Sequence, residues 1–169
     1  MISKDTKREK ALEIAKECEA CGHCCKHASG ILIEDEKKAL ARHFRLSEEE
    51  FESKYLEDTE RFNTKIKRFR QIRSKQRPHG QCIMLAPTGK CTIHKVKPLY
   101  CRITNCNDAG EQLTVWFALN YFININDAES IRQWAQYLKS HSTIPGGELD
   151  SLVPHKQKLD MMLSHDMLH

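Results

Sequence analysis

The residues of this chain best equipped for chemistry are its eight cysteines. Cys18, Cys21, Cys24 and Cys25 form a tight run, and Cys82, Cys91, Cys101 and Cys106 form a second, wider group. Thiolate sulfur is a soft ligand that selects zinc, cuprous copper or iron–sulfur clusters, so this set argues against a calcium or magnesium role. Two residues between cysteines let one tight turn aim both sulfurs at a common centre, and the first run does so twice in succession, at Cys18, Cys21 and Cys24. That spacing is shared with the ferredoxin-type run, in which three ligands come from one segment and a fourth from elsewhere. Cys25 breaks the pattern. In an extended backbone adjacent side chains point to opposite faces, so Cys24 and Cys25 are expected to serve two sites, or one site and a supporting role.

Disulfides are the competing reading, and compartment weighs against them. No apolar run approaches the roughly 20 residues that cross a bilayer, and MISKDTKREK carries charges where a signal peptide is apolar. A cytoplasmic protein with no membrane partner is expected, and cytosolic thiols are kept reduced. Sulfur ligands alone suit both remaining metals. The repeated spacing favours an iron–sulfur cluster, 4Fe-4S in type, with Cys18, Cys21, Cys24 and a cysteine of the second group as ligands. An even split of eight cysteines into four and four suits Zn2+.

Charge is the second signal. The chain is net +4, yet residues 61–107 contain no Asp or Glu and twelve Lys or Arg, leaving fifteen basic and twenty-three acidic residues elsewhere. Cations near cysteine-bound metal offset its negative charge, a role that Lys90, Lys95 and Arg102 suit by position. Lys65, Lys67, Arg68, Arg70, Arg73, Lys75 and Arg77, with Phe69 interleaved, also have the composition of a phosphate-contacting segment. A nucleic acid and an acidic or redox protein are the candidate partners, against the plainer reading of a solvated surface paired to acids elsewhere. No Gly-rich phosphate loop, Ser-His-Asp ordering or paired catalytic carboxylate accompanies these residues, and no catalytic residue is assigned.

The elements that must position the cysteines can be read in outline. Residues 5–19 have helical spacing and deliver the chain to Cys18; Cys18–Gly30 is expected to be a loop around its ligands, with Gly22 supplying backbone freedom. EDEKKALARHF reads as a helix, and Ser47 with Glu50 is a capping-box pattern that should start another, burying Phe51 and Tyr55. Residues 62–72 fit both a helical stripe and strand alternation, and are expected to begin irregular or helical and continue as strand. Residues 82–85 and 91–94 flank a Gly-containing turn and read as a hairpin with a cysteine on each arm. Pro98 should open a short helix carrying Cys101. The apolar VWFALNYFI should be buried, and residues 127–141 should form an amphipathic helix. The fold class is small α+β, a metal-stapled cysteine-rich core with a short β-hairpin and several amphipathic helices. Residues 1–141 are expected to form the metal-binding domain and 142–169 a C-terminal loop and amphipathic arm.

CEACGHCC at 18–25, then Cys82 and Cys91 with His94 close behind, then Lys97, Pro98, Cys101 and Arg102, resemble the CxxCxxCC, or YkgJ-like, cysteine-cluster family over about residues 15–110. Two positions depart from it: His94 stands where the family often has Tyr, and Lys97 where it often has Arg. The resemblance implies a zinc- or iron-chelating protein; members are sometimes described as iron–sulfur oxidoreductases, and a related region occurs in flagellin lysine N-methylases. The methyl-transfer link does not carry over, because nothing here resembles a domain for that cofactor. A zinc-stabilised, non-enzymatic binding module is the alternative to an iron–sulfur protein in electron transfer or cluster handling.

Overall fold

A computed structural model describes residues 1–16, 18–106 and 108–164. The chain divides into two compact units. One, the cysteine unit, comprises residues 15–59 and 66–107; the other, the helical unit, comprises residues 1–14, 60–65 and those from Asp108 on. The first helix, α1 (Arg8–Ala15), is shorter than expected. Lys16 and Ala20 both take left-handed backbone angles, φ 55° in each case, which helical propagation does not permit. Glu17, within the helix expected at 5–19, and residues 165–169 of the expected arm lie outside the described residues.

The cysteine unit contains α2 (His23–His27), β1 (Ile31–Leu32), α3 (Glu34–Phe44), α4 (Glu48–Tyr55), most of β2 (Leu56–Arg61) and β3 (Thr64–Phe69), β4 (Gln71–Ile72), β5 (Gln81–Cys82) and α5 (Leu99–Ile103). The sheet order is β1-β3-β2, with β1 antiparallel to β3 and Ile31 opposite Arg68. A separate antiparallel pair joins β4 to β5, with Gln71 opposite Cys82. Helix α4 starts on the expected capping box: Ser47 accepts from the Glu50 amide at 3.1 Å, and Glu50 accepts from the Ser47 amide at 2.9 Å. Leu32, Leu40, Phe51, Leu56, Phe69, Met84 and Ile93 form the core, with Phe44 and Tyr55 packed on it. Cys82 belongs to that core, and Cys25 and Cys91 lie against it.

Two sequence expectations change here and one is met. The segment expected to be a loop contains α2, which turns Cys24 and Cys25 through helical rather than extended angles. The ambiguous basic segment begins with a turn at Phe62 and Asn63 and continues as strand, as expected, β3 being the central strand whose ladder partners outweigh a helical stripe. The expected hairpin at 82–94 reduces to one isolated bridge, Leu85 with Cys91, around a turn closed by Ala86 N–H to Lys90 O at 2.9 Å.

In the helical unit, α6 (Gly110–Tyr121) buries Leu113, Val115, Trp116, Phe117, Ala118 and Leu119, residues that cover more than one face and so mark a central helix. Helix α7 (Ala128–Leu138) is capped by Asp127, which accepts from the Glu129 and Ser130 amides. Trp134 of α7 is fully buried and donates Nε1–H to Gly147 O at 2.8 Å; Trp116 donates to Thr6 O at 2.8 Å. Both indoles therefore bury their area without an unmet donor. After α8 (Leu149–Leu152), α9 (Lys156–Leu163) packs on α7, buries Met162, and offers the Met162 carbonyl to Arg132 at 2.9 Å. Residues 142–164 thus lie within this unit. No helix among the described residues is long and apolar enough to cross a membrane.

Candidate metal centre

The cysteines converge because four local devices bring their segments together. Gly22 caps α2 from the left-handed region, φ 71°, and sits so close to the Gly89 carbonyl of the 86–90 turn that any Cβ there would collide with it. Gly30 likewise leaves room for the Cys101 sulfur, which a Cβ would strike. Glu36 ties α5 to the start of α3, accepting from Leu99 N at 2.6 Å and from Ile33 N at 3.0 Å. Asn105 reaches back to the end of α1, donating to Ala15 O at 2.8 Å, which brings Cys106 towards Cys18. The Cys18 carbonyl is also within 3.3 Å of His94 Nε2.

A cavity of about 150 Å³ opens among these segments, lined by Cys18, Cys24, Cys25, Cys82, Cys91 and Cys101. Cys21 and Cys106 do not line it; both are exposed, as is Cys24. Cys106 has the thiols of Cys21, Cys24 and Cys18 as its neighbours, Cys21 in hydrogen-bonding relation. Cys24 and Cys25 lie 4.0 Å apart, sulfur to sulfur, and Cys25 also interacts with Cys91. All eight cysteines are free thiols.

Proton sharing follows from this contact. Hydrogen bonds from the Cys25 thiol hold Cys24 and Cys91 down at about 6, helped in both by the positive charge of Lys97, while the same bonds push Cys25 upward. Burial raises Cys82 and raises Cys101 well above an ordinary thiol. The Cys82 sulfur accepts from the Met84 and Gly30 amides, and Cys91 from the Ile93 amide. Two cysteines thus share the same local arrangement, an amide two residues on donating to sulfur, and such donors stabilise negative charge on it. Ser29, 8% exposed, also lines the cavity, and its hydroxyl has no protein partner. A buried hydroxyl left unpaired costs about 1–3 kcal/mol, a cost relieved by an acceptor inside the cavity.

An all-sulfur donor set with amide donors, one cation and an orphaned hydroxyl fits a thiophilic metal group carrying net negative charge. Among the described residues no three His, Cys, Asp or Glu side chains are gathered as a single-ion site. The sulfurs ring a space instead of meeting at a point.

Lys97 is the cation that lines the cavity, whereas Lys90, Lys95 and Arg102 are exposed. Its only sequence signal was its place in the motif before Pro98. Ser29 had none. In the basic segment, Lys67 pairs with Glu52 and Asp58 at 2.6 Å each, and Arg68 with Glu57 at 2.8 Å. Arg73 is 3.8 Å from Glu57, Arg70 donates to Leu56 O and Ser53 O, and Arg77 donates to Gln81. Acids outside the segment therefore meet much of its charge, and Lys65 and Lys75 carry no ion pair among the described residues.

Fold and site together define a thiolate metal-binding domain. A family model, CxxCxxCC, described as "Putative zinc- or iron-chelating domain", matches residues 17–133, and the chain belongs to that family. No curated protein and no solved structure matches the chain.

Proposed function

We propose that this metal-binding protein holds an iron–sulfur cluster on Cys18, Cys21, Cys24 and Cys106 and works in electron transfer or cluster handling. The observation that carries the reading is the environment of Cys106: its thiol neighbours are the three cysteines of the doubled spacing, which lacks a fourth ligand of its own. A bound cluster would supply one-electron redox chemistry. The chain's part is to present that site near solvent, since Cys21, Cys24 and Cys106 are exposed, and to place Lys97 where it offsets thiolate charge. Exposed Lys26 and Arg102, next in sequence to Cys25 and Cys101, suit an acidic redox partner. Ion pairing within the basic segment gives a nucleic-acid role no comparable support.

Anaerobic purification followed by iron, zinc and acid-labile sulfide analysis tests the proposal. Iron with sulfide, and a visible absorption that bleaches reversibly on reduction, are the expected result. A colourless protein holding only zinc would sink it and leave a zinc-stabilised binding module.

A further inference from the structure

The ion pairs that neutralise the basic segment are concentrated on β3. Beyond that strand the chain makes the separate two-stranded ribbon of β4 and β5, joined by the loop 73–80. The loop reads RSKQRPHG, with Arg73, Lys75, Arg77 and His79 and no acid. Every residue from Ile72 to His79 is exposed. Lys75 has no ion pair among the described residues, and the Arg77 guanidinium donates to the neutral Gln81 amide. Arg73 lies 3.8 Å from a Glu57 oxygen that Arg68 already holds at 2.8 Å. The loop has a defined shape nonetheless. Arg77 N–H donates to Ser74 O at 3.1 Å, Ser74 N–H to Arg77 O at 3.2 Å, and Gly80 N–H to Arg77 O at 3.0 Å. Gly80, at φ 78°, closes it so tightly that a Cβ there would come within 2.8 Å of the Gln71 Cβ.

We infer that this hairpin tip is a contact for the phosphate backbone of duplex DNA, made by Arg73, Lys75 and Arg77. Cations held in place with little or no charge from acids of their own chain gain most from an external anion, and guanidinium forks match phosphate oxygens. Two features favour DNA over an acidic protein. A two-stranded ribbon is of a size that the major groove of B-form DNA admits. Protein interfaces are built round an apolar or aromatic centre, whereas the tip's apolar neighbour is the single side chain of Ile72, 52% exposed, which is ordinary for a surface. Phe69, the aromatic that the sequence offered for base stacking, is buried in the core at 1% exposure, so the contact is one of charge and reads no base. The inference is independent of which metal the cysteines hold.

Fluorescence anisotropy of the full, anaerobically purified chain with a labelled duplex DNA tests it. The variant Arg73→Gln, Lys75→Gln, Arg77→Gln, all at exposed positions, should bind about tenfold or more weaker at low salt. Its log–log salt slope should shrink by about 2.7, about 0.9 for each of three lost phosphate contacts, with metal content unchanged. The control Lys7→Gln, Arg8→Gln, Lys10→Gln, exposed residues before and in α1 that remove the same charge, should bind within about twofold of wild type on that reasoning. An equal loss in the control would show attraction to net charge alone and overturn the tip as the site, as would a wild type that does not bind at low salt. Tighter binding of single-stranded RNA would overturn the duplex assignment. Polyglutamate that displaces the duplex as well as unlabelled duplex of equal charge does would make the partner an acidic protein and overturn it too.

Discussion

The helical unit and the cysteine unit close in different ways. In the helical unit Trp134, Phe117, Leu113 and Ile131 are fully buried and both indole N–H groups find carbonyls, while the buried Thr143 hydroxyl has no partner. In the cysteine unit the core around Phe51 and Phe69 stops at a cavity walled by sulfur, with one buried hydroxyl unpaired. Each unit thus holds one buried hydroxyl without a partner, and what sets the cysteine unit apart is a cavity with sulfur in its wall. The same physics of burial applies to both, and the difference lies in what fills the last volume.

Metal removal should break that comparison most strongly. Four-thiolate sites contribute on the order of 10 kcal/mol to folding, so an anaerobic chelator should release amide protection across 66–107 while α6 and α7 stay protected in hydrogen exchange. Both tryptophans of the chain, Trp116 and Trp134, lie in the helical unit, so their fluorescence should stay native as far-ultraviolet dichroism falls. Uniform loss of protection would show that the two units are a single cooperative structure.

Trp134→Ala is the converse test. It should cost about 3–5 kcal/mol by urea unfolding monitored in the helical unit, with metal content unchanged; metal lost from the still-folded variant would contradict the division. Gly30→Ala should cost about 1–3 kcal/mol through overpacking against Cys101 and Phe69. It should also lower metal per chain, which elemental analysis reads directly.

The smallest effect expected is that of Glu52→Gln. Hydrogen bonds from Lys37 and Lys67, at 2.8 and 2.6 Å, hold the Glu52 carboxyl down at about 2. A depressed carboxylate stabilises the folded chain above its ordinary range and loses that contribution as pH falls through about 2. With its side chain about a third exposed, the discounted effect is about 0.5–1 kcal/mol at pH 7. Paired denaturation curves should show the gap between wild type and variant shrinking from pH 5 towards pH 2; a constant gap would place its origin in packing.

The sequence made the donors plain and left their enclosure hidden. Sulfur chemistry and the doubled spacing point to a soft metal, whereas the expectation that Cys24 and Cys25 face opposite ways rested on an extended backbone that α2 replaces with helical angles. Ser47 with Glu50 likewise foretold α4, because a capping box is a purely local device. Helix α2 was missed because HCCKH has no apolar period to read. The strand character of β3 was ambiguous because Phe62, Ile66 and Phe69 keep helical spacing, and only pairing with β1 and β2 decides between the two. Ser29 and Lys97 act through cavity placement, which depends on segments far apart in the chain.

The distance in sequence between the proposed ligands also has a consequence in time. Cys106 follows Cys24 by 82 positions (106 − 24). At synthesis rates of about 5–20 residues per second, the first three cysteines wait about 4–16 s on the ribosome before the proposed fourth partner is made. During that interval the nascent run is an open set of thiols.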